Sequence, residues 1–301
     1  KEAEQILKDA QNLTQLLSAR TPEQKKQKEE LMNKINTQLL LSQGVALTTS
    51  KLFAEIPNIA AKELLLKGED LYLINQANNE FYKIPLSTGV ASLQQVTAEG
   101  IGTVSNIVDH TGGGILVYHS LDGLAQFDTE TNKIKALMWN RTWKGAPKAA
   151  DVYQKKLYVI TPTLQILKYT DSITGYTQEV SWLKENASID LSGIADIAID
   201  GSLWVLKEKG EIIKLYKGEK QDFALSITPE LVGPTRIIAD NDMRYLYILD
   251  NATKRIVISD KSGKVIAQLT AQEFVSMQDI AVHEKTRKIY LLDGNKILEI
   301  E

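Results

Sequence analysis

The chain has 301 residues, of which 43 % are hydrophobic and 24 % are charged, so it can bury a large core of ordinary globular composition. Its formal net charge of −3 excludes the strongly basic surface typical of proteins that bind nucleic acid or an anionic membrane. It contains no cysteine, which excludes disulfides, thiolate catalysis and cysteine-ligated zinc or iron–sulfur sites.

The N-terminal segment, residues 1–44, predicts two helices. Apolar residues recur at helical spacing over residues 6–17 and again over residues 31–39. Thr21 and Gln24 have the spacing of a capping box and predict the start of the second helix. We expect either a helical hairpin packed against the side of the following domain, or a stalk or coiled coil that holds this domain away from a membrane.

The rest of the chain, residues 45–301, is built from a repeat. From about residue 59 onward, an apolar strand, a turn, a strand with Leu-Tyr or Leu-Trp, another turn and a third strand follow one another several times. Six residues spaced 40 to 45 apart mark the equivalent first strands: Glu63, Asn106, Asp151, Asp196, Arg236 and Asp279. Repeats of this length made only of strands predict one blade each, and therefore an all-β, six-bladed β-propeller.

Two further features fit this prediction. The second strand of each repeat, such as residues 203–206, is apolar on both faces and must be covered from both sides, as between neighbouring blades. The last repeat lacks its fourth strand, whereas residues 45–56 have strand character before the first repeat. We expect residues 45–56 to pair outside the C-terminal strand and to close the ring.

Residues 236–269 resemble an NHL-type repeat. The matching motifs are Pro234 and residues 237–240 (IIAD), 246–251 (LYILDN), 255–258 (RIVI) and 260–263 (DKSG). Residues 193–217 and 277–300 match this pattern less fully, and residues 59–139 match it weakly. The chain also resembles bacterial membrane-attached propeller proteins without an assigned activity, in which a helical segment precedes the blades.

This resemblance implies a location outside the cytoplasm and attachment to a membrane. The sequence begins at Lys1 rather than Met, and no stretch approaches the roughly 20 apolar residues of a membrane-spanning helix. We therefore expect the membrane anchor to lie upstream of this sequence.

A ring of polar residues is the candidate metal site. Four first strands begin with an Asp or Asn: Asn106, Asp151, Asp196 and Asp279. Their oxygens would converge at one mouth of the central channel, where they would suit calcium or magnesium. Alternatively, each side chain accepts backbone N–H groups at the start of its own strand. Arg236 belongs to the same ring, and it would repel a cation or pair with a neighbouring Asp. We expect no cofactor, with calcium as the alternative.

Four aromatic residues form the candidate binding patch: Trp139, Trp143, Tyr176 and Trp182. Residues 138–145 are predicted to be a long connection between blades. Aromatic side chains exposed on such a loop would suit capture of a protein, a peptide or a carbohydrate. The alternative is that these rings pack between blades.

Three functions remain open. The leading hypothesis is a non-enzymatic interaction propeller that binds a protein or peptide partner, because the sequence has no nucleophile elbow or other catalytic motif. The second is a metal-assisted lyase or lactone hydrolase with an axial cation. The third is a structural or sensor domain of a longer signalling protein.

Overall fold

The computed structural model describes residues 2–94, 101–110, 113–120, 122–185 and 187–301. Within these ranges two N-terminal helices precede strands that form five sheets. None of the described helices has the length and apolar character that crossing a bilayer requires.

The two helices are α1 (Glu2–Leu16) and α2 (Pro22–Ser42). The predicted capping box is present at the start of α2. The Thr21 hydroxyl accepts the backbone N–H of Gln24 at 3.2 Å, and the Gln24 side chain accepts the backbone N–H of Thr21 at 3.2 Å. These bonds satisfy two of the N–H groups that a helix start leaves without a partner, so α2 begins here.

The helices pack against each other through a partly polar seam. Gln11 Nε2 donates to Asn36 Oδ1 at 2.8 Å across this seam. The apolar side chains of Ile6, Leu13 and Leu17 are 61 %, 66 % and 52 % exposed. Part of the apolar stripe of α1 therefore lies in solvent, whereas Ile35 of α2 is buried.

The strands follow the helices in a continuous succession. In the first half of the chain they are β1 (Ala46–Leu47), β2 (Ser50–Glu55), β3 (Leu64–Lys67), β4 (Asp70–Asn75), β5 (Glu80–Pro85), β6 (Ser92–Gln94), β7 (Val104–Asp109), β8 (Ile115–His119), β9 (Gly123–Asp128), β10 (Lys133–Trp139), β11 (Ala149–Tyr153), β12 (Lys156–Ile160), β13 (Ile166–Ser172) and β14 (Gly175–Ser181). In the second half they are β15 (Ile194–Ile199), β16 (Leu203–Lys207), β17 (Ile212–Tyr216), β18 (Glu219–Gln221), β19 (Pro234–Ile238), β20 (Tyr245–Asp250), β21 (Arg255–Asp260), β22 (Val265–Thr270), β23 (Met277–His283), β24 (Lys288–Asp293) and β25 (Lys296–Ile300). Short 3₁₀ helices, Asn251–Thr253 and Glu284–Thr286, follow β20 and β23.

Four of the five sheets have four or five strands each. Two of them are simple antiparallel sets, β3–β4–β5–β6 and β15–β16–β17–β18. The other two each take a strand from the N-terminal part of the chain, which gives the orders β2–β25–β24–β23 and β1–β22–β21–β20–β19.

The fifth sheet has eight strands in the order β11–β12–β13–β14–β10–β9–β8–β7. Its two antiparallel halves meet where β10 and β14 run parallel, with Met138 opposite Gly175 and Trp139 opposite Tyr176. Gly175 has a φ of +132°, and a Cβ at this position would lie 2.3 Å from the carbonyl oxygen of Met138. Only glycine allows the two halves to approach this closely.

The segment predicted to close the ring contains two strands. β2 pairs antiparallel with β25, with Ser50 opposite Ile300 and Glu55 opposite Lys296. β1 pairs parallel with β22 of the neighbouring sheet. The two ends of the β-domain therefore share one sheet, and the short β1 extends the contact to a second.

The innermost strands surround a central axis. β3, β7, β11, β15, β19 and β23 each contact the next in this order, and β23 contacts β3. Between the sheets, the second strands are covered from both sides as predicted. In β16, Leu203 and Val205 pack in one core cluster, and Trp204 and Leu206 pack in another. This arrangement is that of a β-propeller.

Candidate functional site

Strand register defines a ring of six residues at one end of the axis. Five of them lie at the same position of their first strands, opposite the last apolar residue of the second strand, as Asn106 lies opposite Tyr118 and Asp196 opposite Leu206. The sixth, Glu63, directly precedes the first residue of β3, Leu64, which pairs with Leu73. We call this set the axial ring: Glu63, Asn106, Ala149, Asp196, Arg236 and Asp279.

The prediction that Asp151 belongs to this ring was wrong. Ala149 pairs with Ile160, whereas Asp151 pairs with Tyr158, two residues further along the strand. Asp151 is acidic, like the residues at the starts of other first strands, but the register of a first strand is set by its pairing with the second strand. In the other sheets the position of Asp151 is occupied by apolar residues: Leu65, Val108, Ala198, Ile238 and Ala281.

Carboxylates of the axial ring accept backbone N–H groups from the next first strand. Asp279 Oδ2 accepts the N–H of Leu64 at 2.8 Å, and Glu63 Oε2 accepts the N–H of Ile107 at 2.6 Å. Asp196 Oδ2 likewise accepts the N–H of Ile237 at 3.0 Å. These side chains therefore join neighbouring sheets, and are not confined to their own strand.

Asp151 makes the same kind of bond deeper in the channel. Its Oδ2 accepts the backbone N–H of Ile199 at 2.9 Å, and its Oδ1 accepts that of Val152 at 2.7 Å. Asn106 differs, because its side-chain amide donates back to Glu63 Oε1 at 3.0 Å.

Arg236 supplies positive charge to the axial ring. Its Nη1 lies 3.4 Å from Asp196 Oδ2, and its Nε lies 3.1 Å from Asp279 Oδ1. Although burial disfavours its charged form, the carboxylates of Asp279, Asp196 and Glu63 raise the pKa of Arg236. The guanidinium is therefore charged throughout the pH range in which the carboxyl groups around it titrate.

Burial raises the pKa values of the surrounding carboxyl groups. Against the attraction of Arg236, it raises the pKa of Glu63 to about 7 and that of Asp279 to about 6. The pKa of Asp196 is also raised, and burial takes that of Asp151 to about 8. A single guanidinium thus offsets only part of the cost of burying these carboxylates.

The axial ring does not fit a bound cation. Its carboxylate oxygens already accept backbone N–H groups, and a guanidinium lies beside two of them. Among the residues that the structure describes, no three His, Cys, Asp or Glu side chains are grouped as metal ligands. Of the predicted ligands, Asp196 and Asp279 are brought together around Arg236, and Asn106 is bonded to Glu63 instead.

The predicted aromatic patch lies mainly in the interior. Trp143 is 8 % exposed and Tyr176 is fully buried, and Trp139 packs against the same core cluster. Trp182 is partly buried and packs edge-on against Tyr158, with ring centroids 5.9 Å apart.

Local contacts explain the burial of Trp143. Its Nε1 donates to Tyr169 Oη at 2.9 Å, and its ring meets Trp139 edge-on at 5.3 Å. The guanidinium of Arg141 lies over both indole rings, 4.5 Å from the centroid of Trp143. The four aromatic residues therefore do not form the exposed capture loop that the sequence predicts.

A larger cavity lies at the opposite end of the first strands. It has a volume of about 370 Å³, and we call it the turn cavity. Most of the residues that line it are polar or charged, and they include Asp109, Asp151, Tyr153, Lys155, Asp240 and Asn241. The cavity at the axial ring is smaller, about 160 Å³.

The charges of the turn cavity are only partly balanced. Asp109 Oδ1 lies 2.6 Å from Lys67 Nζ. Burial raises the pKa of Asp240, the negative charges of Asp242 and Asp109 add to this increase, and the positive charge of Lys261 opposes it. A cationic or hydrogen-bond-donating group entering the cavity would relieve this repulsion.

The turn between β11 and β12 forms one wall of the turn cavity. Gln154 and Lys155 have φ values of +49° and +60°, which are unfavourable for residues other than glycine, asparagine and aspartate. This cavity was not predicted from the sequence, although the sequence contains a signal for it. The fourth residue after each member of the axial ring is polar: Lys67, His110, Tyr153, Asp200, Asp240 and His283.

Comparison with known proteins identifies the fold. The sequence matches no family model and no curated protein. A chain of the nidogen/laminin complex is 15 % identical, with a TM-score of 0.57 over 76 % of this chain and 87 % of that one. The calcium-binding protein regucalcin from Agrobacterium tumefaciens is 12 % identical, with a TM-score of 0.58 over 85 % and 95 %.

A gluconolactonase from Xanthomonas campestris is 8 % identical, with a TM-score of 0.58 over 86 % of this chain and 91 % of that one. At these identities the likeness concerns the fold alone. It agrees with the β-propeller that the sheets form, and it assigns no activity.

Proposed function

We propose that the chain is a six-bladed, NHL-type β-propeller that binds a ligand without catalysis. The blade count is supported by the six first strands, which contact one another in a closed ring. It is also supported by the eight-stranded sheet, which divides at β10 and β14 into two antiparallel sets of four. A location outside the cytoplasm and a membrane anchor upstream are proposed from the resemblance alone.

The axial ring is the observation that carries the non-catalytic proposal. A metal-assisted reaction needs carboxylates with free ligand positions and an open coordination site. Here the carboxylates accept backbone N–H groups, and Arg236 lies beside Asp196 and Asp279. The contacts of the axial ring join neighbouring sheets, and we therefore propose that the ligand binds at another surface.

The turn cavity is the surface that we propose for the ligand. Carboxylates, the Tyr153 hydroxyl and the Asn241 amide offer both hydrogen-bond donors and acceptors. A volume of about 370 Å³ accommodates a few side chains of a peptide or one or two sugar rings. The ligand is therefore a segment of a protein, a peptide or a carbohydrate whose contact group is polar and can neutralise Asp240.

The second candidate function is a lyase or lactone hydrolase that depends on a cation. Its support is the likeness of the fold to a gluconolactonase and to regucalcin. The contacts of Arg236 speak against a cation at the axial ring. A structural or sensor role in a longer signalling protein is a third proposal, compatible with ligand binding at the same cavity.

A binding screen tests the leading proposal. Purified protein is offered to arrays of short peptides and of oligosaccharides, and each binder is titrated calorimetrically against the wild type, Asp240→Asn and Tyr153→Phe. We expect at least a tenfold loss of affinity in each variant, because each removes one polar contact that the ligand uses.

The matched control is Lys62→Gln, an exposed residue beside the axial ring at the opposite end of the channel. This variant retains full affinity if the turn cavity holds the ligand. Equal losses in all three variants, or binding that none of them affects, would remove the turn cavity from the proposal. Lactone hydrolysis that requires added calcium or magnesium would favour the enzyme instead.

A further inference from the structure

We infer that two copies of this chain associate through the outer face of α1, with the two α1 helices side by side and antiparallel. Four large apolar residues lie at helical spacing on this face and at its C-terminal end: Ile6, Leu13, Leu16 and Leu17. All four are more than half exposed, and Leu16 reaches 80 %. We call this set the α1 stripe.

The face of α1 that packs on α2 includes polar residues. Thr14 is 4 % exposed, and Gln11 bonds to Asn36 of α2 at 2.8 Å. Glu4 accepts a hydrogen bond from Gln43 Nε2, just beyond α2, at 3.1 Å. A helix with one partner buries its apolar residues against that partner. Since the α1 stripe lies away from α2, it indicates a second partner.

Charge complementarity favours a second copy of the chain as this partner. Residues 2–9 are mainly acidic, whereas residues 20–28, in the turn and at the start of α2, are mainly basic. The acidic residues are Glu2, Glu4 and Asp9, and the basic residues are Arg20, Lys25, Lys26 and Lys28. Antiparallel packing places the acidic end of each helical pair beside the basic end of the other, whereas parallel packing would bring like charges together.

The α1 stripe is self-complementary in the antiparallel orientation. A two-fold axis near the middle of α1 places Ile6 of each chain opposite Leu17 of the other, with Leu13 between these two pairs. The 15 residues of α1 span only about 22 Å, so the contact is small for a protein interface. We therefore expect a weak dimer that forms at micromolar concentrations.

Sedimentation equilibrium of the full chain at about 1–100 µM tests the inference. We expect a monomer–dimer equilibrium whose Kd rises about tenfold in Leu13→Gln, because the variant loses a buried leucine and places an amide in an apolar contact. The matched control is Ile173→Gln, since Ile173 is an aliphatic residue, 97 % exposed, in the turn between β13 and β14. This control should dimerise as the wild type does, and circular dichroism verifies that both variants fold.

Charge reversal tests the choice of partner and orientation. Arg20→Glu should raise the Kd by about threefold, because it places a negative charge beside the acidic start of α1 in the other copy. Adding Glu2→Arg to the same chain exchanges the two charges and should restore the wild-type Kd. A Kd that neither change affects would overturn the antiparallel arrangement.

Disulfide capture tests the orientation directly, since the chain has no native cysteine. Chains carrying Ile6→Cys and chains carrying Leu17→Cys are mixed and oxidised. The mixed dimer should form far above the proportion that random pairing gives. Preferential crosslinking of Ile6→Cys to itself would indicate a parallel pair and would overturn the inference.

The wild type provides the simplest contrary outcome. A chain that remains monomeric at about 100 µM would overturn the inference, as would a dimer that Leu13→Gln leaves intact. Binding of the monomeric chain to anionic lipid vesicles through the α1 stripe would assign the stripe to another partner and would overturn it too. None of these measurements involves the ligand of the turn cavity, so the two proposals fail independently.

Discussion

Asp279 joins Arg236 to the boundary between the last and the first sheets. Its Oδ1 lies 3.1 Å from Arg236 Nε, and its Oδ2 accepts the backbone N–H of Leu64 at 2.8 Å. One carboxylate thus contributes both to charge balance and to the contact of β23 with β3. A change in the charge of the axial ring should therefore change the stability of the whole β-domain.

The first prediction is that stability falls as pH rises through neutrality. Carboxyl groups of unfolded chains titrate near pH 4, whereas burial raises the pKa values of Asp279, Glu63 and Asp151 to about 6, 7 and 8. Between about pH 4 and pH 8 the folded state binds more protons than the unfolded state. The free energy of unfolding is therefore highest at low pH and decreases as the pH rises to about 8. We expect a Tm roughly 5 °C lower at pH 8.5 than at pH 5.5.

The pH slope can be assigned with variants. Glu63→Gln and Asp151→Asn each remove one raised pKa and should flatten the dependence of Tm on pH, whatever their effect on the Tm itself. Asp128→Asn is the control, because hydrogen bonds from Thr131 and Glu130 lower the pKa of Asp128 below this window. An unchanged slope in both Glu63→Gln and Asp151→Asn, measured by scanning calorimetry, would contradict the prediction.

The fold was largely predictable from the sequence, since apolar second strands and regular spacing are local patterns. The position of Asp151 was not, because register depends on pairing with the second strand and not on residue type. The role of Arg236 was predictable only as an alternative, since sequence does not say whether a basic side chain turns toward its neighbours. The burial of Trp143 follows largely from its contact with Tyr169, which is 26 residues away along the chain, and local sequence does not reveal this contact.

The second prediction concerns Trp143, which the sequence suggested as a residue of an exposed loop. Because it is 8 % exposed and bonded to Tyr169, Trp143→Ala should lower the free energy of unfolding by about 3–5 kcal/mol. Urea denaturation followed by circular dichroism measures this loss. Trp143→Phe keeps most of the apolar contact and should lose far less, and equal stability of the wild type and the Ala variant would contradict the burial.

The third prediction concerns the parallel contact between β10 and β14. In Gly175→Ala the new Cβ would collide with the backbone of Met138 in a region of φ that alanine avoids. We expect a loss of about 2–3 kcal/mol in the free energy of unfolding, from backbone strain and overpacking together. The matched control is Gly68→Ala, where φ is +60° and no atom lies within 4 Å, so only the backbone cost of about 1 kcal/mol applies. Similar losses in both variants would mean that the close contact of the two halves is not required.

The fourth prediction tests the pairing of β2 with β25 by covalent capture. Glu55 and Lys296 lie opposite each other in this pair, and both are exposed, so cysteines can replace them without disturbing the core. The chain has no native cysteine, and the double variant Glu55→Cys, Lys296→Cys can therefore form only this one disulfide within a chain.

Oxidation of this variant should crosslink the monomer and raise its stability by about 2–4 kcal/mol relative to the reduced form, because the bridge closes a long loop of the unfolded chain. Thiol titration and chemical denaturation measure the two effects. The single variants Glu55→Cys and Lys296→Cys are the controls and should show neither. Formation of intermolecular dimers without an internal bridge would indicate that the N-terminal strand does not stay beside β25, and the ring would then be open at this position.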